Sequence, residues 1–240
     1  MAATSDAPRF DGILFDAGGI FVVPDPVATA IAIAPFGGST DTSVLVRCHY
    51  AGMEALDAVA GKRTDASIDK ITWDVYRNAY VRTAGVAEHD VERASRAMRR
   101  LFSPYYWRFP MLESVAALGL LHYRKIPIGV VSNASGQIEA TLNNLCICQV
   151  GAGAGVPVRI VTDSHVIGHA KPDPRIFRDA IAALDLPPDR IAYVGDSFVN
   201  DVGGARAAGL VPLLYDPFDD HAGYDCERIA SLHELLEFVA

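Results

Sequence analysis

Residues 12–16, GILFD, decide the fold: Gly12 opens a short apolar run, Asp16 ends it, and Gly18 and Gly19 follow almost at once. A run of this length bounded by turn formers reads as a buried strand breaking into a loop. Working outward, the same signature recurs at Ile128–Val131, Arg159–Thr162, Ile191–Val194 and Val211–Tyr215, each short, apolar and rich in β-branched residues. Between these runs the period becomes helical. From Pro174 to Leu184, the side chains Ile176, Phe177, Ala180, Ile181 and Leu184 share one face. Near the end, Ser231 and Glu234 form a capping box ahead of the stripe Leu232, Leu235, Leu236 and Val239. Strands alternating with helices predict an α/β fold, a doubly wound, Rossmann-like parallel sheet covered on both faces.

Residues 26–109 read differently, with long stretches of helical period and no convincing strand. They predict a helical cap inserted after the first strand, leaving 1–25 and 110–240 as the α/β core domain. Within the insert, Arg93–Leu101 (RASRAMRRL) is a basic helical run, read as a solvated face with attraction of an anionic substrate as the alternative. Residues 151–155, GAGAG, superficially suggest a phosphate loop, but they precede a strand instead of opening a helix after one. They read as a flexible connector.

Composition limits the function classes. The chain has 240 residues, 50% of them hydrophobic and 21% charged, which places it with globular proteins and outside the disordered ones. Its 29 Asp and Glu outnumber 21 Lys and Arg, and the net charge of −8 disfavours nonspecific nucleic-acid binding. The start, MAATSDAPRF, has no basic stretch leading into an apolar one, and no later segment reaches the ~20 apolar residues of a membrane span. A cytoplasmic protein without a membrane partner is the expectation. Cys48, Cys146, Cys148 and Cys226 are too few for a disulfide framework and lack zinc-site spacing, so they read as reduced thiols.

Ligands of open α/β sheets bind beyond the carboxyl ends of the strands, which makes polar residues placed directly after strand signals the first candidates. Asp16 follows the first strand, Ser132 and Asn133 follow IGVV, Lys171 opens a KPDP turn, and Asp196 with Asp201 follows IAYVG. Each alone reads as a helix cap or turn former. Three carboxylates converging on one edge would repel strongly unless a lysine and a divalent cation offset them. Mg²⁺ suits that demand, since it takes hard oxygen ligands from one or two carboxylates together with substrate phosphate. The Ser132 hydroxyl, with the backbone N–H groups of Asn133 and Ala134 near a helix start, suits phosphoryl oxygens.

In this order, FDAGG (15–19), VVSN (130–133), KPDP (171–174) and VGDSFVND (194–201) resemble the four short motifs of the haloacid dehalogenase superfamily, over nearly the whole chain. The resemblance implies a hydrolase in which Asp16 is the nucleophile and Ser132, Asn133 and Lys171 bind phosphate. It also implies that Asp16, the Gly18 carbonyl, Asp196 and Asp201 hold Mg²⁺, Asp201 either directly or through the metal's water shell. A Mg²⁺-dependent phosphatase acting on a small phosphorylated metabolite through an aspartyl phosphate is the reading that follows.

One position departs from the family pattern. Phosphatases of the family usually carry a second aspartate two residues after the nucleophile, where it protonates the leaving group; here that position is Gly18. Three consequences are open: substrates with good leaving groups, a proton donor elsewhere, or weak phosphatase activity. His49 and Tyr50, in the insert, are the candidate donors. The missing acid also resembles the 2-haloacid dehalogenase branch, and Arg47 stands at roughly the spacing of that branch's substrate-binding arginine. Against this, the acids of GDSFVND would burden a site for halide and carboxylate. A catalytically weak member that binds a small molecule is the remaining alternative. Phosphonate cleavage needs a cap lysine with a depressed pKa, and neither Lys62 nor Lys70 sits in an apolar run.

Overall fold

The computed structural model describes residues 8–61 and 70–240. The chain runs through β1 (Gly12–Phe15) and β2 (Val22–Pro24) into four helices, α1 (Pro26–Ile33), α2 (Thr42–Ala60), α3 (Lys70–Thr83) and α4 (Val91–Arg99), and returns through β3 (Trp107–Pro110). There follow α5 (Leu112–Tyr123), β4 (Ile128–Ser132), α6 (Ile138–Asn144), β5 (Cys148–Val150), β6 (Val156–Val158), β7 (Val161–Asp163) and α7 (Ser164–Ile167). The rest comprises α8 (Arg178–Leu184), β8 (Ile191–Gly195), α9 (Gly203–Ala207), β9 (Val211–Tyr215) and β10 (Arg228–Ile229).

Six strands form one parallel sheet in the order β10-β9-β8-β1-β4-β7. The continuous apolar runs are explained by its two faces. Ile13, Phe15, Val130, Ala192 and Val194 enter one core cluster, while their neighbours Leu14, Val131, Ile191 and Tyr193 enter the other. Side chains alternate across a strand, so a sheet covered on both sides needs apolar residues at every position. In register, Phe15 lies opposite Val130 on one side and Val194 on the other. The strands therefore finish level, and the residues after them share one edge. Build-up runs outward from β1 through β4 to β7, then reverses through β8, so the crevice beside β1 is the topological switch point.

The helices between β2 and β3 enclose their own core, with Leu45, Tyr76, Tyr80 and Met98 at its centre. Asp25 caps α1, accepting from the backbone of Val27 and Ala28 ahead of Pro26, and Asp41 caps α2 in the same way. The basic run of α4 is a solvated face: Val91, Ala94 and Met98 are buried, while Arg93 and Arg96 are exposed and pair with Asp90 and Glu92. No strand was expected in this stretch, yet Trp107–Pro110 pairs antiparallel with β2. The chain thus leaves and re-enters the sheet through one two-stranded ribbon, and Arg108 clamps Asp25 across it at 2.6–2.8 Å. Neither strand alternates in hydrophobicity over enough residues to be read alone.

Four other elements differ in detail from expectation. The strand expected at Arg159–Thr162 is displaced to β7, with β6 ahead of it. GAGAG does connect β5 to β6, but it is tied down: the Gln149 amide donates to Gly155 O at 3.1 Å and accepts from Gly155 N at 2.9 Å. The Ser231–Glu234 capping box forms, on a 3₁₀ segment over Leu232–Glu237 instead of an α-helix, and Pro174–Phe177 is likewise a 3₁₀ lead into α8. Among the described residues, no helix is long and apolar enough to cross a membrane.

Candidate active site

Four of the expected residues meet at the sheet edge. Asp16 leaves β1 with its backbone N–H on Val194 O at 2.8 Å, and its carboxylate Oδ1 stands 2.9 Å from Lys171 Nζ. Lys171 also donates to Asp201 Oδ1 at 2.6 Å and to the Tyr193 hydroxyl at 2.8 Å. Ligand oxygens of Asp16, Asp196 and Asp201 all lie within 4.8 Å of one another. Asp16 is 9% exposed and the other three charged side chains 3% or less.

Glycine makes this crowding possible at two points. A Cβ at Gly19, whose φ is +70°, would fall 1.9 Å from Asp196 Oδ2, and one at Gly195 would fall 2.2 Å from Asp201 Cγ. Both positions must lack a side chain for the acids to reach the site. Asp201 itself belongs to a π-helical turn over Phe198–Val202, and its Oδ2 accepts from Ser197 N at 2.9 Å. Such turns re-aim side chains relative to an ordinary helix.

Asp16 and Asp201 share one ammonium here, with Asp196 beside them, in a site nearly closed to water. Burial pushes Asp16 up to about 6, against the opposing pull of Lys171, and burial likewise raises Asp196, against a hydrogen bond from His49. Burial alone would lower Lys171, but Asp16 and Asp201 outweigh it and hold the ammonium above its ordinary value. The cluster is short of positive charge, and every donor that it offers is a hard oxygen. That is the donor set of Mg²⁺, so the residues fit a hard divalent cation.

Ser132 ends β4, is buried, and lines the same cavity as Asp16 and Lys171. Asn133 lines the cavity too, but its side-chain amide is engaged. Its side chain accepts from Lys171 N at 2.7 Å and donates to Lys171 O at 3.0 Å, so it fixes the lysine backbone. The helix start expected beside it is also displaced: α6 begins at Ile138, Ala134 N is bound to Ser164 Oγ, and Gly136 N and Ile138 N are taken by Asp163.

From the helical side, one face of α2 meets these loops. His49 Nε2 lies 3.0 Å from Asp196 Oδ2 and its Nδ1 lies 2.8 Å from the Tyr76 hydroxyl; Tyr50 donates to Gly19 O at 2.6 Å. Two turns further on, Asp57 accepts from Ser197 Oγ at 2.8 Å and from the backbone of Phe198 and Val199 at 2.6 and 3.0 Å. His221 Nε2 stands 3.2 Å from the same carboxylate, with its other ring nitrogen 3.6 Å from Asp216. Sequence reasoning passed over Asp57 and His221 altogether. A signal for Asp57 existed, since positions 49, 53 and 57 repeat every fourth residue on one helix face. Arg47, the candidate for a haloacid carboxylate, is instead committed to Asp220 at 2.5–2.7 Å and stacks on Phe218. Lys62 lies outside the described residues, as does the side chain of Lys70.

Above the acids is a cavity of about 240 Å³. Its floor is Asp16, Ser132, Lys171 and Asp196, and its walls include Met53, Leu56, Trp73 and Trp107. The backbone at Gly18 does not force a glycine. A Cβ there would meet nothing closer than Trp107 Cδ1 at 3.8 Å.

A doubly wound sheet that brings Asp16, a buried lysine and paired acids to its switch point fits a hydrolase. The family comparison agrees: residues 10–209 match the haloacid dehalogenase-like hydrolase model, and the chain belongs to that family. It is 29% identical to a phosphoserine phosphatase of Thermus thermophilus over 83% of this chain and 74% of the relative. It is 35% identical to the haloacid dehalogenase-like hydrolase domain-containing protein 3 of Mus musculus, over 47% of this chain and 41% of the relative. Among solved structures, a HAD phosphatase from Thermococcus onnurineus superposes with a TM-score of 0.54 at 19% identity, covering 95% of this chain and 97% of that one, a likeness of fold.

Proposed function

We propose that this hydrolase is a phosphatase of small phosphorylated metabolites in which Asp16 takes up the phosphoryl group. The observation that carries the reading is the Asp16–Lys171–Asp201 cluster, with Asp196 beside it, at the floor of a small cavity. The phosphatase name of the Thermus thermophilus relative supports the same class.

Asp16 attacks phosphorus, the bond to the leaving oxygen breaks, and an aspartyl phosphate forms; water then attacks phosphorus and returns the carboxylate. Lys171 neutralises phosphoryl oxygens and holds Asp16 in place, while Tyr193 and Asp201 orient the ammonium. Ser132 grips a phosphoryl oxygen, and Asn133 acts at one remove by fixing Lys171. Asp16, Asp196 and the Gly18 carbonyl would hold Mg²⁺, with Asp201 supporting it, and the ion supplies charge neutralisation when bound. The helices over residues 26–109 serve as a cap that excludes water and limits substrate size. The engagement of Arg47 with Asp220 leaves a haloacid carboxylate without its expected partner.

The test is phosphate release with and without a chelator, in wild type and Asp16→Asn. We expect release to require divalent metal and to fall at least about 1,000-fold in Asp16→Asn. Undiminished release in either case overturns the mechanism, and halide release from short 2-haloacids without metal would put the dehalogenase reading in its place.

A further inference from the structure

Two independent features of the cavity point to the substrate's organic half. The first is its wall. Trp73 is held edge-on by Tyr76, Phe102 and Trp107 at centroid distances of 5.5, 5.6 and 5.8 Å, and with Met53 and Leu56 it makes a stiff apolar surface facing the phosphate end. Among the described residues that line the cavity, Lys171 is the one lysine or arginine, and Asp16 and Asp201 already share it, while His49 is held by Asp196. A carboxylate on the leaving group would find neutral donors there, such as Ser135 and Gln137, but no free lysine or arginine among the described residues. The second feature is the place where a proton donor would stand. Gly18 offers none, and Trp107 packs against that point. His49 has both ring nitrogens engaged, and the Tyr50 hydroxyl is spent on Gly19 O.

We infer that the substrate is the phosphate monoester of a small, uncharged aryl or enol group, with Met53, Leu56, Trp73 and Trp107 as its specificity-determining residues. This rests on the phosphatase reading above. Phenols titrate near about 10, as tyrosine does, so a phenolate departs with the bond's electron pair and takes its proton from water afterwards. An aliphatic alkoxide needs the proton as it leaves. Asp16 forms the new bond to phosphorus as the bond to the aryl oxygen breaks. Water then displaces Asp16, and its proton goes with inorganic phosphate. A cavity of about 240 Å³ is below the roughly 300 Å³ at which drug-sized pockets begin, which suits a single ring.

The experiment measures phosphate release from phenyl, benzyl and 4-carboxyphenyl phosphate, with acetyl phosphate as a small substrate that needs no donor. Phenyl should exceed benzyl phosphate by about 100-fold or more in kcat, reading the missing acid. It should exceed 4-carboxyphenyl phosphate by about tenfold or more in 1/KM, reading the wall. Trp73→Ala should raise KM for phenyl phosphate with little change in kcat, and Trp73→Phe should restore most of it. Should the truncation fail to fold, Met53→Lys tests the same wall by shifting preference toward the carboxylated ester. Equal or better use of 4-carboxyphenyl or benzyl phosphate overturns this inference and leaves the phosphatase reading intact. No phosphate from any of the four, acetyl phosphate included, overturns both.

Discussion

The sheet edge and the helical block face the same cavity with opposite chemistry. From the loops and turn beyond the sheet come three carboxylates and one lysine, buried and mutually dependent, with glycine at the two points where they crowd most. From the helices and the ribbon come two tryptophans, a methionine and a leucine, with His49 reaching Asp196. The division is physically reasonable: charge is cheapest to assemble where backbone loops and a lysine can offset it, and selectivity comes from excluding what cannot be solvated. The two sides are also joined by polar contacts. Asp57 crosses from α2 to the turn that carries Asp201, and His221 braces it from behind.

That junction is the first place to break the comparison. Asp57→Ala leaves Ser197 Oγ, two backbone N–H groups and His221 without their acceptor, and should cost about 2–4 kcal/mol in denaturant unfolding. A loss within experimental error would mean that the two regions are joined elsewhere. Next in size, Gly18→Asp adds the absent proton donor where the backbone accepts a Cβ. Release from benzyl phosphate should rise about tenfold or more, with phenyl phosphate little changed. An equal response of the two esters would show that the leaving group is protonated by other means.

The smallest effect concerns pH. Burial pulls His221 down, but Asp57 and Asp216 outweigh it and hold its pKa above the ordinary value. A raised histidine contributes its stability in full below about pH 6.5 and loses it as pH rises through the raised pKa. The gap in urea midpoint between wild type and His221→Gln should therefore be wide near about pH 6 and narrow by about pH 9. A constant gap would show that the ring acts through packing alone.

Much of the α/β half was legible because its strands are covered on both faces, so each reads as an unbroken apolar run with its polar residue directly behind. Asp16, Ser132, Asp196 and Asp201 were found in that way. Ser132 and Asn133 separate the two kinds of outcome: adjacent in sequence, both line the cavity, but the Asn133 amide is committed to the backbone of Lys171. Position after a strand announces a polar residue but not its rotamer. The β2–β3 ribbon escaped because strands of three and four residues carry no period.

By itself the sequence determined the doubly wound sheet, the helical character of most of residues 26–109, and the identity of the acids and lysine at the strand ends. These follow from local pattern, which one strand or helix carries alone. Only the tertiary structure decided that Arg47 belongs to Asp220, that Asp57 bridges the two regions, and that Trp73 and Trp107 wall the cavity beside Gly18. Each of those depends on which face of a helix or ribbon meets which loop. That is set by packing between segments distant in the chain, and no single segment records it.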